Sequence, residues 1–394
     1  MPNTVSSTLL HNAQRLKVLF AGVASLILMI GIARFAYTPM LPLMQQQAGL
    51  GIAQGGWLAA FNYTGYFCGA LIAANIGDLG KKDRLYRLGL LVAIVTTAGL
   101  GFTQNFWLWS LLRFLSGLSS AAGLLLGSGL VMHWLLRHQL RSELGIHFIG
   151  MGAGIFLTAL FVYLVAGQIS WQQHWFWLSA LGSLLAIPAW FWLPKPDTSG
   201  YTVGGEKMID QPPSQQFLQT FMLAYFCAGV GYVVITTFIV AHVNQITGDN
   251  NYGSVTFMVI GLAAVPACII WDLVARKLGN LNALLLAFIL QFTGMLIPIL
   301  SPGLIWTFVG AGLFGGTFIG IVSLVLTMAG RYFPTRPAKM MGKMTLSYGV
   351  AQMVAPAAAG ILAQWSGSYH LSIIISCGIM FLGCWLIYGL RNHE

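Results

Sequence analysis

Two arginines, Arg34 and Arg113, stand inside long apolar runs of a 394-residue chain. A guanidinium stays protonated even when buried, and a cation inside a membrane-spanning helix costs several kcal/mol or more. Such a group endures by facing a cavity, a partner or a ligand. Arg34 lies in MIGIARFAYTPMLPLM, residues 29–44, and Arg113 opens RFLSGLSSA, residues 113–121. A helical rise of about 1.5 Å per residue places Arg34 about 25 Å from Lys17 and about 17 Å from Gln45. Arg113 falls at a similar level. The nine acids (Asp78, Asp83, Glu143, Asp197, Glu206, Asp210, Asp249, Asp272 and Glu394) lie in loops, at helix ends or at the terminus. None shares the depth of the arginines. Like charges repel strongly in a low dielectric, and an anion between them relieves that repulsion. A carboxylate or phosphoryl group matches the bidentate fork. Arg34 and Arg113 are therefore a candidate anion clamp. Three other readings stay open: Arg113 bonded to carbonyls of neighbouring helices, Arg34 wholly structural, or either side chain snorkelling toward the outer interface.

Polar residues on the same helix faces suggest a lining. Tyr37 follows Arg34 at i+3. Asn62 and Tyr66 are one turn apart, Ser116 and Ser120 follow Arg113 at i+3 and i+7, Tyr232 shares a face with Thr236, and Tyr348 with Gln352. Tyr37, Asn62, Tyr232 and Gln352 are expected to shape the pocket; the competing reading for each is a helix-packing contact. His133, His147 and His242 lie near helix ends, so protons remain a candidate coupling ion without a named carrier. The five cysteines all lie in apolar runs and read as small buried hydrophobes. No metal-ligand spacing, nucleotide-cradling loop or nucleophile-base-orienter cluster stands out, so neither a cofactor nor an enzyme activity is expected.

These side chains need helices to hold them. The chain is 57% hydrophobic and 7% charged, against about 25% charged in soluble domains. Its apolar runs are continuous rather than alternating, which indicates membrane helices and not a barrel. Twelve runs reach spanning length, at about 18–44, 54–77, 85–104, 106–134, 144–166, 171–193, 217–246, 253–276, 281–300, 304–331, 338–363 and 370–390. The reading is an all-α membrane protein with a bundle over residues 1–193, a cytoplasmic linker over 194–216 rich in Pro, Gly and charge, and a second bundle over 217–394. The first span serves as the insertion signal, with no removed signal peptide. The chain has 19 Lys and Arg, and all but Arg34 and Arg113 fall on one side of the twelve spans. By the positive-inside rule both termini are cytoplasmic. The same placement accounts for the net charge of +10 without nucleic acid. Gly150, Gly152 and Gly154 in span five, and Gly310 and Gly315 in span ten, are expected to let helices approach closely. Pro39, Pro42, Pro266 and Pro356 are expected to kink or end their spans. Trp107, Trp109, Trp171, Trp175 and Trp177 read as an interfacial belt.

The two halves look like weak copies. Asp78 precedes Lys81 and Lys82 after span two, and Asp272 precedes Arg276 and Lys277 after span eight. GIARFAYT, residues 31–38, can be laid on GVGYVVIT, residues 229–236, matching Arg34 with Tyr232 and Thr38 with Thr236. Here the chain resembles the major facilitator superfamily. Arg113 with Gly117 and Ala121 is similar to that family's fourth-helix motif. The loop after span two is a degenerate form of its Gly-x-x-x-Asp-Arg-x-Gly-Arg-Arg signature, with Ala74 for the first glycine and Leu79 for the usual basic residue. IARFAYTPMLPLM, NYTGYFCGA and GVGY look like the YbfB/YjiJ branch. The resemblance implies twelve helices in two pseudo-symmetric bundles, a substrate site between them, gating roles for Asp78 and Asp272, and spans three, six, nine and twelve at the lipid-facing periphery.

The function expected is secondary active transport of a small solute, an organic anion or carboxylate, across the bacterial inner membrane by alternating access. The alternative is proton-coupled efflux of amphipathic drugs or metabolites. The expected partners are the lipid bilayer and the solute, with the protein a monomer.

Overall fold

The computed structural model describes residues 3–138, 144–196, 212–301, 303–332 and 337–391. Of the expected linker, residues 197–211 lie outside the described residues. Twelve helical rods form among the described residues. Span one is Asn3–Leu26, Ile27–Phe35 and Tyr37–Ala48; span two is Ile52–Asn75; span three is Leu79–Gly101. Span four is Phe106–Ala121, Ala122–Gly127 and Ser128–Arg137; span five is Leu144–Val165; span six is Trp171–Phe191. Span seven is Gln215–Thr247, span eight Asn250–Ala264 with Ala267–Leu278, and span nine Asn280–Leu300. Spans ten, eleven and twelve are Leu304–Tyr332, Pro337–Ser366 and His370–Leu390. Nine rods are long and apolar enough to cross a membrane, and span eight becomes a tenth when its two bent pieces count as one. Spans two and six, 24 and 21 residues long, are the other two.

Span one runs past its expected end, with Pro42 inside its last helix. Residues Ile27–Phe35 are a π-helix, in which Ala36 N–H donates to Gly31 O, five residues back, at 2.9 Å. A fresh α-helix starts at Tyr37, so Pro39 sits in its first turn, where a missing N–H costs little. That helix stops at Gly49, which adopts φ 69°, a conformation suited to glycine. Pro266 does break span eight, bending it by 45°. Pro356 lies inside an unbroken helix.

Small residues set the spacing of the rods. A Cβ built on Gly31 would lie 2.4 Å from Gly154 Cα, so spans one and five touch backbone to backbone. Gly65 and Gly117 interlock spans two and four, Gly152 and Gly261 spans five and eight, and Gly315 spans eight and ten. This is the close approach that lipid-embedded helices use in place of a hydrophobic driving force. Span one packs on five, two on four and three on six; seven packs on eleven, eight on ten and nine on twelve. The second six thus repeat the first. Between the sets, spans two and eleven meet, and so do five and eight.

Spans three, six, nine and twelve carry exposed large apolar residues, among them Leu91, Leu184, Ile289 and Phe381. The tryptophan belt needs correction. Trp107 and Trp177 are exposed, but Trp109, Trp171 and Trp175 are buried. Trp109 packs edge-on to Trp171 at 5.7 Å and donates its Nε1–H to Leu100 O at 3.0 Å. Tryptophan content locates a helix end but not which face the ring takes.

Gly117 and Gly129 lie on the same span. A Cβ on Gly117 would sit 1.9 Å from Asn62 O, whereas nothing lies within 4 Å of one on Gly129. Gly117→Leu should therefore abolish recovery of monodisperse protein in detergent. Gly129→Leu should leave yield and melting temperature within error of wild type, as gel filtration and thermal unfolding would show.

Candidate functional site

The π-helical stretch of span one is buried throughout and carries Arg34. Span four bonds to backbone carbonyls of this stretch. Ser116 Oγ donates to Ala33 O at 2.6 Å and Ser120 Oγ to Met29 O at 2.7 Å. Arg113 extends this ladder, with Nη1 donating to Ala33 O at 3.1 Å and Nε to Leu58 O at 3.4 Å. The Tyr37 ring lies 4.4 Å from the Arg113 guanidinium carbon, and its hydroxyl donates to Gly55 O at 2.8 Å. Asn62 Nδ2 donates to Arg113 O at 3.0 Å and reaches Ser116 Oγ at 3.3 Å. Arg113, Tyr37, Asn62, Ser116 and Ser120 therefore form one lattice tying spans one, two and four together.

Arg34 is held differently. It is 5% exposed, and its Nη2 donates to Gln352 Oε1 on span eleven at 2.9 Å. The rings of Tyr63 and Tyr66 each lie 4.5 Å from its guanidinium carbon, with Phe35 at 5.6 Å. Such desolvated cation–π contacts are worth about 2 kcal/mol. Its Nε is buried without a hydrogen-bond partner. Among the described residues no carboxylate contacts it. Asp78 Oδ1 accepts from Lys81 N–H at 2.7 Å as a helix cap, and Asp249 caps Asn251. Asp83 pairs with Arg87 at 3.0 Å, and Asp272 with Arg276 on an exposed helix face. Glu143, Asp197, Glu206, Asp210 and Glu394 lie outside the described residues. The expected gating residues Asp78 and Asp272 thus make these contacts within their own halves.

The halves meet around Arg34. Besides the Gln352 bond, Thr38 Oγ1 donates to Thr236 O, joining span one to span seven. Phe35 meets Tyr232 edge-on at 6.4 Å. The positions aligned as counterparts in the two half-sequences thus lie together at the pseudo-symmetric seam. Beyond Tyr232 the second half presents stacked rings. Tyr348 lies 5.5 Å from Tyr232 and 4.4 Å from Tyr225, and Phe318 lies 5.4 Å from Tyr232.

Of the six expected binding residues, Arg34, Gln352 and Tyr232 gather at the seam, and Arg113, Tyr37 and Asn62 in the lattice behind it. Tyr63, Tyr225 and Phe318 escape the sequence reading. A signal for Tyr63 exists, since Tyr66 stands at i+3 from it on span two. Tyr232 stands at i+7 from Tyr225. The histidines lie away from Arg34: His147 shares a 2.8 Å hydrogen bond with Ser128, and the His242 ring is 6.4 Å from that of His370.

Comparison with known proteins agrees with this architecture. Along 353 residues the chain is 25% identical to the uncharacterized MFS-type transporter YceJ of Bacillus subtilis, covering 87% of this chain and 83% of that one. It is 23% identical over 410 residues to the probable sulfoacetate transporter SauU of Cupriavidus necator, covering 94% and 93%. It is 22% identical over 422 residues to the cis,cis-muconate transport protein of Acinetobacter baylyi, covering 100% and 97%. The crystal structure of the nucleoside transporter NupG superposes with a TM-score of 0.74 at 10% identity, covering 97% of this chain and 100% of that one; this shows the fold. The profile described as "Uncharacterised MFS-type transporter YbfB" matches residues 26–388. This chain therefore belongs to that family of multi-pass membrane transporters and is not an enzyme.

Proposed function

We propose that the protein is a secondary transporter of a small organic anion, a carboxylate, working by alternating access between its two six-helix halves. The observation that carries this is Arg34. It is a buried, permanently charged group with an unpaired Nε and no carboxylate contact among the described residues. A buried charge met only by neutral dipoles and ring faces is incompletely compensated, and a visiting carboxylate supplies a charged partner. Relatives named for sulfoacetate and cis,cis-muconate support an anionic solute.

The roles divide. Arg34 binds the anion, and Gln352 and Tyr232 face it from the second half. Arg113 acts as a positioning residue, since its donors go to Ala33 O and Leu58 O; Tyr37 and Asn62 hold that lattice. The Arg34–Gln352 bond bridges the halves, and an amide oxygen is a weaker acceptor than a carboxylate. A bound anion that takes the guanidinium frees Gln352 and loosens this seam, which links binding to movement of the halves. Asp78 and Asp272 act at the cytoplasmic ends of spans two and eight as gating residues. The distribution of Lys and Arg supports cytoplasmic termini in the inner membrane. The working unit is a monomer, and a proton travels with the anion or is not needed.

Thermal unfolding of the purified chain across carboxylates, phosphates, sugars and lipophilic cations tests the reading, because a ligand of the folded state raises stability with concentration. Carboxylates should stabilise wild type. Arg34→Ala should lose that response, with affinity at least about tenfold weaker for the loss of a charged hydrogen bond of about 1.5–3 kcal/mol. Arg34→Lys should rescue it poorly, lacking the fork. Stabilisation by lipophilic cations, unchanged in Arg34→Ala, would favour amphipathic efflux instead.

Arg113→Lys should behave in the opposite sense. An ammonium lacks the separate Nε and Nη1 donors that reach Leu58 O and Ala33 O, so the melting temperature should fall while the folded fraction still responds to carboxylate. An unaltered melting temperature with a lost response would make Arg113 the anion's contact.

A further inference from the structure

We infer that the anion is a monocarboxylate with a flat, conjugated or aromatic body, its ring taken up by the tyrosine stack of the second half. This rests on the carboxylate reading above and specifies it. The two sides of the seam differ in kind. On the first half both guanidiniums keep their charge, but donors of Arg113 go to Ala33 O and Leu58 O, and Arg34 is the one whose Nε is free. One guanidinium with a free donor suits one carboxylate.

The facing side offers rings. Tyr225, Tyr348, Tyr232, Phe318 and Phe314 follow one another at centroid spacings of 4.4, 5.5, 5.4 and 5.4 Å. Successive planes differ by 26°, 27°, 18° and 16°. Aromatic pairs prefer offset-stacked or edge-to-face arrangements. Here five near-parallel rings from three helices stack on one another, so their faces cover each other and the side of the stack is a wall of ring edges. The wall reaches the charge directly. Gln352, which holds Arg34, lies one turn beyond Tyr348 on span eleven, and Phe35, next to Arg34, touches Tyr232. A planar acid with its carboxylate on Arg34 would extend its ring along Tyr348 and Tyr232. A saturated acid of equal size has no ring face for those edges to meet edge-to-face. A second carboxylate at the far end of the ring would meet aromatic carbon.

Matched ligands separate the claims. Benzoate, cyclohexanecarboxylate and terephthalate share the carboxylate and differ in flatness or in a second charge. Affinities for the purified full chain would be measured by calorimetry, with thermal shift as a second readout. Benzoate should bind about tenfold more tightly than either of the others. Tyr348→Leu and Tyr232→Leu should each bring benzoate down to the level of cyclohexanecarboxylate, and Tyr348→Phe should keep the preference. Equal binding of benzoate and cyclohexanecarboxylate by wild type would overturn this inference while leaving the carboxylate reading intact. So would a preference that persists in both leucine variants, or tighter binding of terephthalate. Failure of every carboxylate to bind would overturn both.

Discussion

The structure turns on one electrostatic constraint: a guanidinium enclosed by apolar and aromatic side chains, with no carboxylate beside it among the described residues. Arg34 cannot shed its proton, so the fold must disperse its charge or leave it for a ligand. Dispersal is partial. Two tyrosine faces and one amide oxygen surround the group, while Nε keeps no partner. Arg113, equally buried, has two backbone carbonyls and a ring face. This contrast between the two arginines is the ground for proposing a positioning role for one and a binding role for the other.

Backbone carbonyls carry this arrangement, since each has two lone pairs and can accept a second bond from a neighbouring helix. In the π-helical stretch of span one the Met29 and Ala33 carbonyls accept from Ser120, Ser116 and Arg113. Glycines at 31, 65, 117 and 154 then allow the backbones to close to contact. The same seam that holds Arg34 also joins the halves through Gln352 and through Thr38 with Thr236. In the transport proposed, binding and movement of the halves would share these atoms.

Much of this was legible in the sequence because membrane helices announce themselves by length and apolarity. All twelve rods appear at the expected places, and the depth of Arg34 follows from a fixed rise per residue. The half-repeat was visible in Asp78 and Asp272 and in the pairing of Thr38 with Thr236. Other features were hidden for physical reasons. A π-turn differs from an α-turn by one residue of winding and leaves no periodic mark. Trp109, Trp171 and Trp175 share the composition of an interfacial belt, yet their rings turn inward. Polar residues at one helical face look alike whether they line a cavity or bond to a neighbouring backbone. Asn62 and Ser116 are therefore resolved as lattice contacts only once the helices are packed. The aromatic wall needs three helices from distant parts of the chain, and no local pattern encodes it.

The central claim is that Arg34 recognises a negative charge rather than a shape. It is tested most directly by titrating the purified protein with benzoate and with cyclohexanecarboxylate, each against its methyl ester. An ester keeps the shape and removes the charge. Wild type should bind the acids and reject the esters, and Arg34→Gln should no longer tell them apart. Equal affinity of wild type for an acid and its ester would contradict the claim.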